Sequence, residues 1–240
     1  MLFLNPSTYI AAVLFLLFMG FIFMGILDGF TKAAQDVSPA VEFFKFFFLP
    51  VWVMVPLLTM KGLAEERRSG TLETLLTAPV SAAEVVFAKF GAAYLLYMLM
   101  WLATLGFIAV LHHFSKDARF LDLGPLAGGY LFVAVTGLLY VAVGTLASAL
   151  ARSQAVAAVL AFAGLFALTL GLTWASGMTF VQQESLHQVR SALESADVFR
   201  HLEDFTRGVV DTRQIVFYLT GTALTLILSI LGVEAKVLHS

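Results

Sequence analysis

Six long apolar runs, separated by polar segments of very unequal length, set the pattern of this chain. The first, Tyr9 to Leu27, is uncharged and close to the ~20 residues needed to cross hydrocarbon. Asn5 can cap it, with Pro6 at the first helical position, where a missing amide is harmless. With no basic leader and no small-residue cleavage site, it reads as a retained span and not as a signal peptide. Asp28 to Glu42 reads as a polar loop. Phe43 to Met60 forms the second span, with Lys45 near one end and bends expected at Pro50 and Pro56. Phe43, Phe44, Phe46, Phe47 and Phe48 are expected to face lipid or the interface. The third span is Val85 to Leu111, with Lys89 placed to snorkel to the headgroups. The fourth lies within Leu123 to Ala151, where Gly124 and Gly128, then Gly137 and Gly144, allow close helix approach. Arg152 marks a very short turn, so the fifth span, within Ser153 to Gln183, must form an antiparallel hairpin with the fourth. Asp211 and Gln214 resemble a capping box opening the sixth span, Ile215 to Val233. The predicted spans are about 9–27, 43–60, 85–111, 124–150, 154–175 and 215–233.

Two polar segments are more than connectors. Between spans two and three lies KGLAEERRSGTLETLLTAPVSAAEVVFAK, from Lys61 to Lys89. Leu72, Leu75, Leu76 and Pro79 follow the i, i+3, i+4, i+7 spacing of one helix face, leaving Glu73, Thr74 and Thr77 on the other. This predicts a short helix lying along an interface. Pro79 stops it, and Ser81 with Glu84 reads as a capping box for the next span. Between spans five and six, 184–214 is too polar to cross. Its Val198, Phe199, Leu202, Phe205 and Val209 keep a near-helical apolar spacing, which predicts one or two interfacial helices, with Phe199, Leu202 and Phe205 partly immersed as an outer lid.

Composition agrees with this class. Apolar residues make up 60% of the chain and charged ones 12%, about half of the roughly 25% usual in soluble domains. The fold expected is therefore all-α and polytopic, one transmembrane domain over 1–240. A net charge of −2 and the absence of a basic patch give no support to nucleic-acid binding. Without cysteine there is no disulfide or thiolate metal site. His112 and His113 are adjacent and share no helix face, and no acidic or Cys partner sits at ligand spacing, so no metal site is predicted; every histidine is expected in a loop or tail, which leaves Ser176-Gly177 without the facing His that an intramembrane serine protease would need.

The run EERRSGTLETLLTAPVS resembles the signature of permease subunits of ABC-2 type exporters, above all the small permeases associated with gliding motility and nitrous-oxide-reductase maturation. HLEDFTRGVVDTRQIVFYL is similar to the segment before the last helix of the same permeases, where it caps the outer mouth. The resemblance implies a cytoplasmic coupling helix between helices 2 and 3 that docks on a separate ATPase. By that likeness Glu65, Glu66, Gly70, Thr71, Glu73 and Leu75 carry the coupling, within an ATPase-contacting set that also takes in Arg67, Arg68, Leu72 and Leu76. A solvated amphipathic connector is the alternative reading of the same stretch. The likeness further implies a second permease copy or paralogue, ATP and Mg bound by the partner ATPase and not by this chain, and a bacterial cytoplasmic membrane with both termini cytoplasmic. Members often carry a longer amphipathic helix before the first span, which is expected here to be abbreviated or absent. Charge decides orientation poorly, because Lys61, Arg67, Arg68, Lys89, Arg152 and Lys236, six of the 14 Lys and Arg residues, fall on the proposed inner side.

Function also follows from what is missing. There is no GxxxxGK[ST] phosphate cradle, and no Asp, Glu or Arg lies deep in a span, where ion-coupled pumps keep a titratable group. No catalytic residue is predicted. A subunit driven by a separate motor fits both absences, moving a lipid-like or other hydrophobic or polymeric cargo. The reading from a different class is a non-transporting scaffold or mechanotransmission subunit with an auxiliary extracytoplasmic partner; membrane lipid is a partner in either case.

Overall fold

The computed structural model describes residues 6–32, 39–70, 80–114, 123–178 and 187–237. Among them there is no strand, and six helical stretches are long and apolar enough to cross a membrane.

The first span is α1, Pro6–Lys32. Asp28, expected in a loop, still lies in this helix, where Lys32 four residues on donates to its carboxylate at 2.5 Å. Such an i,i+4 pair lets polar residues extend a helix past its apolar stretch.

Span two is broken. It consists of α2, Pro39–Lys45, and α3, Phe48–Thr59, joined by a turn at Phe46 and Phe47. Pro50 explains the break: it has no amide to give to the Phe46 carbonyl, and its ring crowds that oxygen. The Phe46 carbonyl instead accepts from the Leu49 amide at 3.2 Å, a tighter i→i+3 bond. Pro56, by contrast, sits inside α3, which continues to Thr59.

The elbow at Phe46–Phe47 corrects the lipid-facing reading of the phenylalanines. Phe43, Phe44 and Phe47 are 4%, 0% and 0% exposed; only Phe46 is substantially exposed. Phe44 stacks on Trp101 with centroids 6.3 Å apart, and Phe47 meets Phe132 edge-on at 5.0 Å. These rings are core.

A short helix and the start of span three bracket the next polar segment. After α4, Ala64–Arg68, the described chain resumes at Val80 and enters α5, Ala82–Ala103, followed by α6, Leu105–Phe114. Thr104 separates the last two, its hydroxyl donating to the Trp101 carbonyl at 2.6 Å. Ser81 and Glu84 form the predicted capping box at the start of α5: the Ser81 amide donates to the carboxylate at 2.8 Å, and the Glu84 amide to the hydroxyl at 3.3 Å.

The central element is α7, Leu123–Leu150. It packs against α2, α3, α4, α5, the α8 that follows it, and the last two helices of the chain. Its glycines make this possible. A Cβ at Gly128 would overlap the Phe205 carbonyl oxygen, and one at Gly144 would overlap the Thr59 hydroxyl, so backbone and side chains come closer than any other residue allows. Gly124, the other half of the GxxxG, is exposed.

A short turn at Ala151–Ser153 leads into α8, Gln154–Phe166, antiparallel to α7 as expected; a π-helical turn, Ala167–Gly171, and α9, Leu172–Ser176, complete span five. The π turn sits where the Trp52 indole donates to the Thr169 hydroxyl at 3.0 Å. The long polar segment holds two helices, α10, His187–Ser195, and α11, Val198–Thr206, before α12, Thr212–Val237, forms span six.

Candidate functional site

The charged segment after α3 is built onto the end of the bundle where α7 terminates. α3 closes in a turn, Gly62 donating to the Thr59 carbonyl at 2.9 Å, and the chain enters α4 through Leu63, which has no capping side chain of its own. The cap comes from another helix: the Leu63 and Ala64 amides both donate to the Ser148 hydroxyl of α7, at 3.0 and 3.1 Å. Leu63 and Ala64 are fully buried. Three residues on, Arg67 Nη1 donates at 2.8 Å to the carbonyl of Ala151, one of the acceptors left open by the end of α7. Glu66 pairs with Lys89 of α5.

This geometry divides the predicted residues. Glu65, Arg68 and Gly70 are exposed, whereas Glu66 and Arg67 turn inward and fasten α4 to α5 and α7. Gly70 has φ +68°, a left-handed conformation that suits glycine, and it redirects the chain as α4 ends. Thr71, Leu72, Glu73, Leu75 and Leu76 lie outside the described residues, and so does the interfacial helix predicted over them. Lys89 does not snorkel away from the protein; the carboxylate of Glu66 holds it, and the pair is largely covered.

Ser148 is the residue that sequence reasoning missed. Nothing marks it except its place one turn beyond Gly144, on the face of α7 that meets the end of α3.

At the opposite end of the bundle, α11 lies across α7 and α2. Val198, Leu202 and Phe205 are buried, and Phe205 meets Phe132 at 5.8 Å. Phe199 is half-buried against Phe48, ring centroids 5.4 Å apart. The apolar face expected to enter the interface is thus spent on the bundle itself, because the glycine at 128 leaves a seat for it.

Polar contacts lock this cap. Asp197 accepts from the Phe199 amide at 3.0 Å as N-cap of α11, and from the Thr173 hydroxyl of α9 at 3.2 Å. His201 corrects the expectation that every histidine is in a loop or tail: it is a buried helical residue, 3% exposed. Its Nε2 lies 3.1 Å from the Ser195 carbonyl, which can only accept, so Nε2 carries the proton and Nδ1 accepts from the Tyr218 hydroxyl at 2.8 Å. Burial lowers the His201 pKa from its ordinary value, against smaller opposing effects of the Ser195 carbonyl, Asp197 and Asp204. The capping box expected at Asp211 and Gln214 is only half formed. Asp211 does cap, accepting from the Arg213 amide at 2.8 Å, but the Gln214 side chain donates to Asp204 at 2.7 Å instead of returning to the helix start.

Among the described residues neither end gathers a catalytic constellation, and no group of His, Asp and Glu is placed to hold a metal. What the first end offers is a short charged helix rigidly attached to three spans. A protein-family model described as ABC-2 family transporter protein matches residues 27–194, from the end of α1 through most of α10 and including all of α4. No curated protein matches the chain. Six apolar helices and a match over more than half of the sequence establish what the segment's wording suggested: the chain belongs to the ABC-2 family of transporter proteins, as a multi-pass membrane permease subunit.

Proposed function

We propose that the protein is the membrane subunit of an ATP-driven exporter or extruder, and that α4 with the residues after it receives the stroke of a separate ABC ATPase. The observation that carries this reading is the division of α4. Glu65 and Arg68 point outward and can meet a partner, while Glu66, Arg67 and the Ser148 cap tie the helix to α5 and α7. A push on such a helix moves the spans, whereas a solvated connector would absorb it. Thr71, Leu72, Glu73, Leu75 and Leu76 extend the contact, and ATP and Mg sit in the partner.

An ABC motor closes two ATPase subunits on two coupling elements, so a second permease copy or a paralogue completes the membrane domain, following the two-fold habit of such assemblies. This end of the bundle then faces the cytoplasm of a bacterial inner membrane, as do both termini, and α11 caps the outer mouth with Phe199, Leu202 and Phe205. The wording of 65–81 supports nearest kinship with the gliding-motility and nitrous-oxide-reductase-maturation permeases, and the apolar spans suit a lipid-like cargo.

The test is charge reversal on the outward face. Glu65→Lys and Arg68→Glu should leave insertion and thermal stability at the parent level while the ATPase is lost from the purified complex; a desolvated charge pair across an interface is worth about 2–5 kcal/mol. Retention of a fully coupled ATPase by both variants would reduce α4 to a connector.

A second reading has its own support. α10 has no buried residue, leaving a polar helix at the outer end free to engage an extracytoplasmic protein, as a mechanotransmission subunit would. ATP-dependent movement of lipid in vesicles holding permease and ATPase alone favours the exporter; hydrolysis without movement favours the transmission subunit.

A further inference from the structure

An open-sided cleft of about 450 Å³ lies between α1 and the α2–α3 elbow, at the end of the bundle opposite α4. Ile22, Gly25 and Ile26 form one wall, and Phe46 and Leu49 the other. The α1 side is open to the bilayer: Phe21, on the cleft, is 82% exposed, and Met24 beside it is 67% exposed. The space in front of the Gly25 wall is open, since a Cβ there would meet nothing within 4 Å. One charged residue, Glu42, is among those lining this otherwise apolar cleft. Its side chain is 24% exposed, and Lys45, which donates to it at 2.5 Å, is 50% exposed. Of the pair, Glu42 belongs to the cleft lining and is the less exposed, and Lys45 is the more exposed partner beside it.

We propose that this cleft binds one phospholipid with an ammonium headgroup, its acyl chain between α1 and the elbow. The ammonium meets Glu42, and Lys45 meets the lipid phosphate. Apolar walls open to hydrocarbon accept an acyl chain through van der Waals packing, since the chain is already out of water in the bilayer. The paired charges select the headgroup: a zwitterion completes an alternating set of four charges, whereas a lipid with phosphate but no ammonium leaves Glu42 facing an anion. The site follows from the position of the cleft in the membrane and does not depend on what the protein transports.

The purified protein is equilibrated with mixed micelles of phosphatidylethanolamine and phosphatidylglycerol in equal amounts, and retained lipid is counted by native mass spectrometry. One phosphatidylethanolamine per chain is expected, preferred by about tenfold, which is what one charge-assisted hydrogen bond contributes. Glu42→Gln should keep a lipid but bring the preference close to unity. Gly25→Phe, whose Cβ has open space around it and whose ring would occupy the cleft, should abolish retention, and Leu49→Trp should do the same from the opposite wall. Thermal unfolding separates loss of the site from loss of the fold, and either filling variant that unfolds like the parent suffices. Unchanged retention in a folded filling variant, an unchanged preference in Glu42→Gln, or a filling variant that instead splits a dimer into single chains would each overturn the proposal, the last by assigning the cleft to a second copy.

Discussion

Ser148→Ala is the sharpest test of how α4 is held. The Ser148 hydroxyl is the acceptor for two buried amides, Leu63 at 3.0 Å and Ala64 at 3.1 Å, and these are among the groups a helix start leaves without partners. Alanine removes the acceptor. Leaving one buried amide unsatisfied costs about 1–3 kcal/mol, and two amides sharing one acceptor are not independent, so about 2 kcal/mol is a sound lower figure. The loss is local. Arg67 and Glu66 still hold the other end of α4, so the start of the helix opens while the bundle stays folded. Hydrogen exchange of the 60–70 peptide should accelerate by about thirtyfold, the factor corresponding to ~2 kcal/mol. Exchange in α7 and α12 should be little changed. Ser69→Ala serves as control, because that residue is exposed and its hydroxyl donates to the Glu65 and Glu66 carbonyls of its own segment. Ser148→Ala should still bind the ATPase through Glu65 and Arg68 yet couple poorly. Parent-like exchange at Leu63 and Ala64 in Ser148→Ala would refute the argument that α7 caps α4.

Three further outcomes follow from the geometry. Glu66→Lys places two cations together at the α4–α5 contact and should lower thermal stability by about 3 kcal/mol as a partly buried pair is broken; adding Lys89→Glu should recover a large part of it, and no recovery would mean that the two residues act separately. Gly128→Ala should detach α11, because the new methyl group overlaps the Phe205 carbonyl, and protease cleavage within 196–211 should then rise sharply while α7 remains protected; an unchanged digestion pattern would count against the seat. The cap should also loosen in acid: with the His201 pKa lowered by burial, the released state binds a proton more readily than the docked one, so docking is complete above the free imidazole value of about 6.5 and weakens as pH falls through it, with Asp197 and Asp204 resisting the change and Arg200 reinforcing it. Exchange of the 198–206 amides between pH 8 and 5, corrected for intrinsic rate, measures this, and His201→Gln should flatten it.

Local chemistry was legible in the chain and partnership was not. The six spans, the hairpin around Arg152, the Ser81–Glu84 box and two helices within 184–214 follow from hydropathy, period and cap residues, because each of those signals lies within a few residues of the structure it dictates. The direction in which an apolar residue faces has no such signal in a membrane protein. Lipid and core are equally apolar, so Phe44 and Phe47, in the core, read the same as Phe46, which faces out; Pro50 and the glycines of α7 settled the matter through packing. Likewise four successive charges, Glu65 to Arg68, look equivalent in sequence. Only the arrival of Ser148, Ala151 and Lys89 from other helices turns Glu66 and Arg67 inward and leaves Glu65 and Arg68 outside. The partner of a charge or an open amide is set by which helix end lies beside it, and that is a property of the assembled bundle.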